Sequence, residues 1–425
     1  MIYDAIVVGA GPAGSTTARV CAEQGLSVLL LDKAEFPRDK PCGGGVTIRA
    51  AELLPFDISP VTERVVDGMY LSARQSNGFG RRYPRDLIYF TQRTRLDALL
   101  VEKATSAGAV LRERATVRSV ERGPNSVVVR SSDETFQARA LVGADGANGV
   151  TAKMAGLQVS LALGVALEAN VEAKKGWDSR SGLDPGFPTQ WEHIFGLDIG
   201  TTPGGYGWIF PKSDHLNIGI GSWKYFGPNL RGKLEGLARY YGFDSGSLSR
   251  PRGHHLPMRN PNSALAEGNV LLVGDAAGLL DPLTGEGIYA GIWSGIAAAK
   301  HLQRYVSGES ANLNGYQQEL ELGLVPDLEV SRRFHDVFHL TPRLYTSVER
   351  VTERLWDLIC RLMRGEQTYA GVMRNHTSLA NVVDFISDSI RVAPPLQRWA
   401  GLRDPAPPGR FFMRGRGQRK ATQAF

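Results

Sequence analysis

The sequence predicts an α/β protein in which a Rossmann-like domain is interrupted by a mainly antiparallel β-sheet and followed by a helical C-terminal region. Three observations carry this expectation. An apolar run, Ile6-Val7-Val8, leads into Gly9-Ala10-Gly11-Pro12-Ala13-Gly14; a helical stretch follows, and a second apolar run, Leu29-Leu30-Leu31, ends on Asp32. From Leu163 to about Gly221 the pattern turns to alternation of apolar and polar residues, broken by Pro and Gly. From about Gly315 to Arg398 the apolar residues recur at helical spacing.

The first stretch matches a dinucleotide-binding βαβ unit, because strand, Gly-x-Gly-x-x-Gly, helix, strand and acid come in register. Gly9 allows the tight turn, Gly11 lets the backbone approach a pyrophosphate, and Gly14 lets the helix pack on the strand. The phosphates belong at the helix N-terminus, where unpaired N–H groups and the dipole favour negative charge. Asp32 is placed to accept hydrogen bonds from the adenosine ribose.

A chain of 425 residues, 42% hydrophobic and 22% charged, suits a globular protein of two or three domains. Its 49 Lys and Arg against 43 Asp and Glu give a net charge of +6. That excess suits anionic cofactors, diphosphates or an anionic membrane surface, and it is too diffuse to argue for nucleic acid. Cys21, Cys42 and Cys360 are scattered, which fits a reducing compartment and argues against a zinc site. No basic leader precedes the first strand, and no apolar run nears the ~20 residues that span a bilayer. The expectation is a cytoplasmic protein, at most peripheral at the membrane.

Taken in order, Pro37 to Val46 holds two prolines and the triple glycine Gly43-Gly44-Gly45 after Cys42, a loop suited to lie close to a flat ligand. Residues 71–92 and 161–254 are expected to form the inserted substrate domain. Residues 1–70, 93–160 and 255–315 are expected to form the discontinuous cofactor domain. Arg93, just before a helical stretch, can clamp a phosphate with its planar fork. Alternation puts Tyr206, Trp208 and Phe210 on one face of a strand, as either packed core or the wall of a cavity. The nucleotide-binding fold resumes at Val270 to Asp275, and Gly285-Glu286-Gly287-Ile288 opens a helix to about Tyr305. Beyond the helical region at 316–400, residues 401–425 read as a disordered tail. Its Arg410, Arg414, Arg416, Arg419 and Lys420 flank Phe411, Phe412 and Met413, a combination suited to reversible binding at an anionic membrane.

Together, Gly9 to Gly14, Asp145-Gly146 and Gly274-Asp275 resemble the flavin monooxygenase-type fold, in which separated segments hold one FAD. Pro41-Cys42-Gly43-Gly44-Gly45 and Tyr206-x-Trp208-x-Phe210-Pro211-Lys212 narrow this further. They are similar to the geranylgeranyl reductase family, flavoproteins that saturate isoprenoid double bonds in chlorophyll, archaeal lipid and quinone side chains. The resemblance spans about residues 1 to 310. It implies FAD contacts at Gly14, Asp32, Cys42, Gly43, Gly44, Arg93, Asp275, Gly287 and Ile288, beside Gly9 and Gly11 of the fingerprint. It implies a ribityl contact at Asp275, and backbone N–H groups of the Gly285–Ile288 turn aimed at the flavin's pyrimidine edge. Tyr206, Trp208 and Phe210 would line the substrate cavity. The electron donor would be NADPH or a reduced ferredoxin, no metal is implied, and the proton donor is left among Cys42, Tyr206 and water. Gly278 and Tyr289 stand where aromatic hydroxylases usually carry His and Asn. That departure weighs against the alternative of a monooxygenase or halogenase. A non-catalytic flavin or prenyl-lipid binding protein is the other alternative. Geranylgeranyl diphosphate, a chlorophyll precursor, an archaeal-type lipid and menaquinone stay open as substrates.

Overall fold

The computed structural model describes residues 2–172 and 191–392. The expected tail at 401–425, and positions 393–400 of the expected helical region, lie outside the described residues.

Three sheets organise the described residues. The central layer of the first is parallel: Ile2–Val8 lies between Val28–Leu31 and Thr135–Gly143, which are flanked by Val110–Arg112 and Val270–Leu272. Ile6, Val7, Leu29, Leu30, Leu141 and Leu271 are all fully buried. Continuous apolar strands of this kind belong to a parallel sheet covered on both faces. Helix Pro12–Glu23 covers one face, with proline at its start and Gly25 in the left-handed conformation (φ +85°) just past its end. It packs on helix Ile288–Val306, where Gly291 and Gly295 face Ala13.

The second sheet has seven strands in the order Arg252–Arg259, Leu161–Glu172, His215–Trp223, Gly205–Pro211, Ile194–Thr202, Gly68–Ala73 and Phe79–Arg82. All pairs are antiparallel except Ile194–Thr202 with Gly68–Ala73. Strand Arg252–Arg259 crosses the expected boundary at 254. Its register on Leu161–Glu172 keeps it in this sheet as far as Arg259. A third sheet, not foreseen, joins Gly45–Thr47, Ile88–Thr91 and Thr62–Val66. It carries the loop of Cys42 between the two larger sheets.

Among the described residues the C-terminal region is helical as expected, in six segments: Asn314–Leu322, Val325–Leu340, Pro342–Val351, Glu353–Met363, Tyr369–Asn375 and Thr377–Val392. Leu355, Ile359, Leu362 and Met363, which share a helical face, all line one large cavity. Trp356 points away from it and donates its indole N–H to the carbonyl of Arg82 at 3.2 Å.

Candidate active site

The N-termini of Pro12–Glu23 and Ile288–Val306 open onto the same cavity of about 560 Å³, each through a glycine N-cap, Gly11 and Gly287, without a side-chain cap. Uncapped N–H groups and the positive ends of two helix dipoles make this end of the cavity favourable to anions. A Cβ placed on Gly11 would meet nothing nearer than Arg38 Nη2 at 3.6 Å and Arg93 Nη2 at 3.9 Å. The space above Gly11 is therefore an open cradle with two guanidinium groups at its rim. Arg93 is buried and held by Asp97 through two bonds of 2.7 Å, and Arg38 reaches the same carboxylate at 3.0 Å. Burial opposes the charge on Arg93, but Asp97, with a smaller contribution from the Cys42 side chain, more than offsets it, so its pKa lies above the ordinary value. Gly14 has no room for a side chain, since a Cβ there would sit 1.8 Å from the carbonyl oxygen of Gly9.

Asp32 is buried at the end of its strand, and its two oxygens accept the N–H groups of Ala10 and Ala34, each at 2.8 Å. It braces the glycine turn directly, and a ribose would have to share its remaining lone pairs. Asp275 lines the cavity beside Gly287, where a Cβ would come within 2.9 Å of its Oδ1, and Lys40 Nζ lies 3.8 Å from its carboxylate. Glu286 ties the Gly285–Ile288 turn to the third sheet by accepting from Thr47 Oγ1 at 2.5 Å, and to the short helix Ile48–Ala51 by accepting from Arg49 Nη2 at 2.7 Å. A cradle for a diphosphate, a carboxylate beside it and two helix N-termini fit FAD. Gly9, Gly11 and Gly14 would hold its diphosphate with Arg93, and Asp275, Gly287 and Ile288 its flavin end.

The aromatic stripe faces this cradle. Tyr206 and Trp208 have ring centroids 6.1 Å apart, and Trp208 and Phe210 stack at 5.9 Å. All three line the cavity, and Gly43 lies against Phe210 and Trp208. Gly219, opposite Trp208 across the strands, leaves room for the indole, whose N–H donates to Asn217 Oδ1 at 2.8 Å. The Tyr206 hydroxyl donates to the carbonyl oxygen of Thr284, and burial raises its pKa. The far wall is apolar, built by Phe338, Tyr345, Leu355, Ile359, Leu362 and Val383.

Two functional candidates were missed in the sequence. Lys212 continues the alternation of Tyr206, Trp208 and Phe210, so its place on the aromatic face was legible. It is 5% exposed, and burial pulls its pKa down to about 8. Glu168 is 4% exposed and follows Gly164 and Ala166 along the cavity wall; burial pushes its pKa up against the pull of the Cys42 N–H and Asn217. The signal was that row of small residues ending in an acid.

A profile described as FAD binding domain matches residues 2–182. A geranylgeranyl diphosphate reductase of Rhodobacter capsulatus is 32% identical over 326 residues, 74% of this chain and 78% of the relative. The chain belongs to the geranylgeranyl reductase family. It is an FAD-dependent oxidoreductase. A menaquinone reductase of Mycobacterium tuberculosis is also 32% identical, covering 70% of this chain and 76% of its own length. Among solved structures, a geranylgeranyl bacteriochlorophyll reductase-like protein of Thermoplasma acidophilum shares the fold. Its TM-score is 0.67 at 23% identity, over 79% of this chain and 88% of that one.

Proposed function

We propose that this geranylgeranyl reductase family member saturates carbon–carbon double bonds of an isoprenoid chain, with NADPH or a ferredoxin-like protein as electron donor. One observation carries the reading: a single cavity is lined by the dinucleotide cradle, the aromatic stripe and the apolar wall of the C-terminal helices. An isolated alkene has no carbonyl to polarise, so the protein contributes chiefly positioning and exclusion of water. Bound FAD supplies the hydride equivalent for one alkene carbon. A proton must reach the other carbon. The engagement of the Tyr206 O–H with Thr284 favours Cys42 or water as its source. Tyr206 then orients the Gly285–Ile288 turn. In this reading the first sheet and its helices hold the cofactor and the second sheet covers the substrate. Strands Gly68–Ala73 and Arg252–Arg259 of the second sheet run past the expected boundaries at 70 and 254, while Ile88–Thr91 belongs to the third sheet.

Mass spectrometry of prenyl lipids in a deletion strain tests the reaction. Unsaturated chains should accumulate in one lipid class, and their head group names the substrate. Oxygen-dependent NADPH consumption with a hydroxylated product would instead establish a monooxygenase, and FAD that no donor reduces would establish a binding protein.

Two further outcomes are expected. Cys42→Ser retains FAD but lowers turnover at least tenfold or releases partly reduced chains. Wild-type rates and products in that variant would leave Cys42 as an ordinary loop residue. The basic tail collects lipid substrate at the membrane surface, each cation near anionic lipid contributing about 1 kcal/mol before screening. Among the described residues no helix is long and apolar enough to cross a membrane. Co-sedimentation with vesicles should require anionic lipid, weaken with salt and fall on removal of residues after Leu402. Equal binding to neutral vesicles would show that the tail is not the anchor.

A further inference from the structure

Two buried side chains of opposite charge grip the backbone of the Cys42–Gly44 loop. The Cys42 N–H donates to Glu168 Oε1 at 3.0 Å. One residue on, the carbonyl of Gly43 accepts from Lys212 Nζ at 2.7 Å, and the same ammonium donates to the carbonyl of Thr91 at 2.7 Å. Each ion has further support. Arg252 Nη2 approaches Glu168 Oε1 at 3.3 Å, and Lys212 Nζ lies 5.1 Å from the centroid of the Phe90 ring. The loop needs holding. Gly43, Gly44 and Gly45 follow one another, Gly44 adopts φ +68°, and its own N–H meets only the weak acceptor Cys42 Sγ at 3.3 Å. Burying ions is costly, and charge-assisted bonds to a peptide unit are about twice as strong as neutral ones. A clamp on a glycine-rich segment is a use that warrants that cost.

We propose that Glu168 and Lys212 are positioning residues that clamp the Cys42–Gly44 loop against the aromatic stripe and so keep the Cys42 thiol at the cavity wall. Gly44 and Gly45 stay tied to the third sheet by the Thr91 N–H, which donates to the Gly44 carbonyl at 2.8 Å, and by pairing of Gly45 with Phe90. Cutting either grip therefore frees the segment up to Gly43 and lets the thiol swing out to solvent. The clamp acts on this chain's own backbone, whichever substrate fills the cavity.

The other two cysteines, Cys21 and Cys360, are each 0% exposed and serve as internal controls for a thiol reagent. FAD-loaded, full-length protein is treated with iodoacetamide, and each cysteine is followed by peptide mass mapping. In Lys212→Met and in Glu168→Ala, Cys42 should react at least tenfold faster than in the wild type, with Cys21 and Cys360 still protected. Glu168→Gln keeps an oxygen that can accept the Cys42 N–H, and its rate should stay within about threefold of wild type. The two grips are scored separately, so a variant that does not fold leaves the other to decide. Wild-type rates at Cys42 in folded Lys212→Met or Glu168→Ala would overturn the clamp. Parallel labelling of all three cysteines would do so as well, since it would mean that these side chains support the whole fold.

Discussion

Gly11→Val should give a folded protein that no longer retains FAD. The argument is steric and local. Gly11 has φ −76°, an ordinary value for any L-residue, and the nearest protein atoms to its missing Cβ are the guanidinium nitrogens of Arg38 and Arg93 at 3.6 and 3.9 Å. The isopropyl group therefore enters the cradle rather than the core. Valine is also a poor N-cap, which costs the helix about 1 kcal/mol. The diphosphate loses much more, because it is pushed from the helix N–H groups and from the guanidinium N–H groups of Arg93 that Asp97 leaves free, and charged hydrogen bonds contribute about 1.5–3 kcal/mol each. Loss of two raises the dissociation constant at least ~100-fold. Flavin absorbance per chain after gel filtration measures it, with circular dichroism as the check on folding. Undiminished flavin in a folded variant would mean that the diphosphate does not lie over Gly11.

Trp208→Ala is the second large effect, and it separates a cavity wall from a core. A sealed-core Trp→Ala costs about 3–5 kcal/mol. Trp208 is 7% exposed, yet it lines the cavity, so truncation enlarges an existing space. The freed Asn217 keeps its own bond, Nδ2 to Asn170 Oδ1 at 2.9 Å, and its Oδ1 can meet water in the widened cavity. FAD should stay bound. A chain that is displaced by even ~1 Å from the reacting position loses about 10²-fold in rate, so kcat/KM should fall by one to two orders of magnitude. Preference should shift to longer or more branched chains. Unfolding of the variant, or loss of flavin with unchanged selectivity, would make the aromatic stripe structural.

Asp32 shows where sequence reasoning was incomplete. Its place at the end of the second strand was legible, because the fingerprint lies within one local unit. Its two bonds to the backbone N–H groups of Ala10 and Ala34 were not, because they depend on how the turn closes. Lys212 makes the same point at longer range. Alternation after Phe210 places it on the aromatic face, but its partners Gly43 and Thr91 lie 169 and 121 residues away. Tyr206 likewise meets Thr284 only across 78 residues.

The sequence by itself determined the nucleotide cradle, the aromatic face and the helical C-terminal region. Each is a periodicity or a spacing within a single element, and a strand or helix repeats its faces wherever it packs. Only the tertiary structure decided that these parts share one cavity, that a third sheet carries the Cys42 loop into it, and that Glu168 and Lys212 hold that loop. Those arrangements join segments from distant parts of the chain. Their geometry is set by how the sheets and helices pack, which no local pattern encodes.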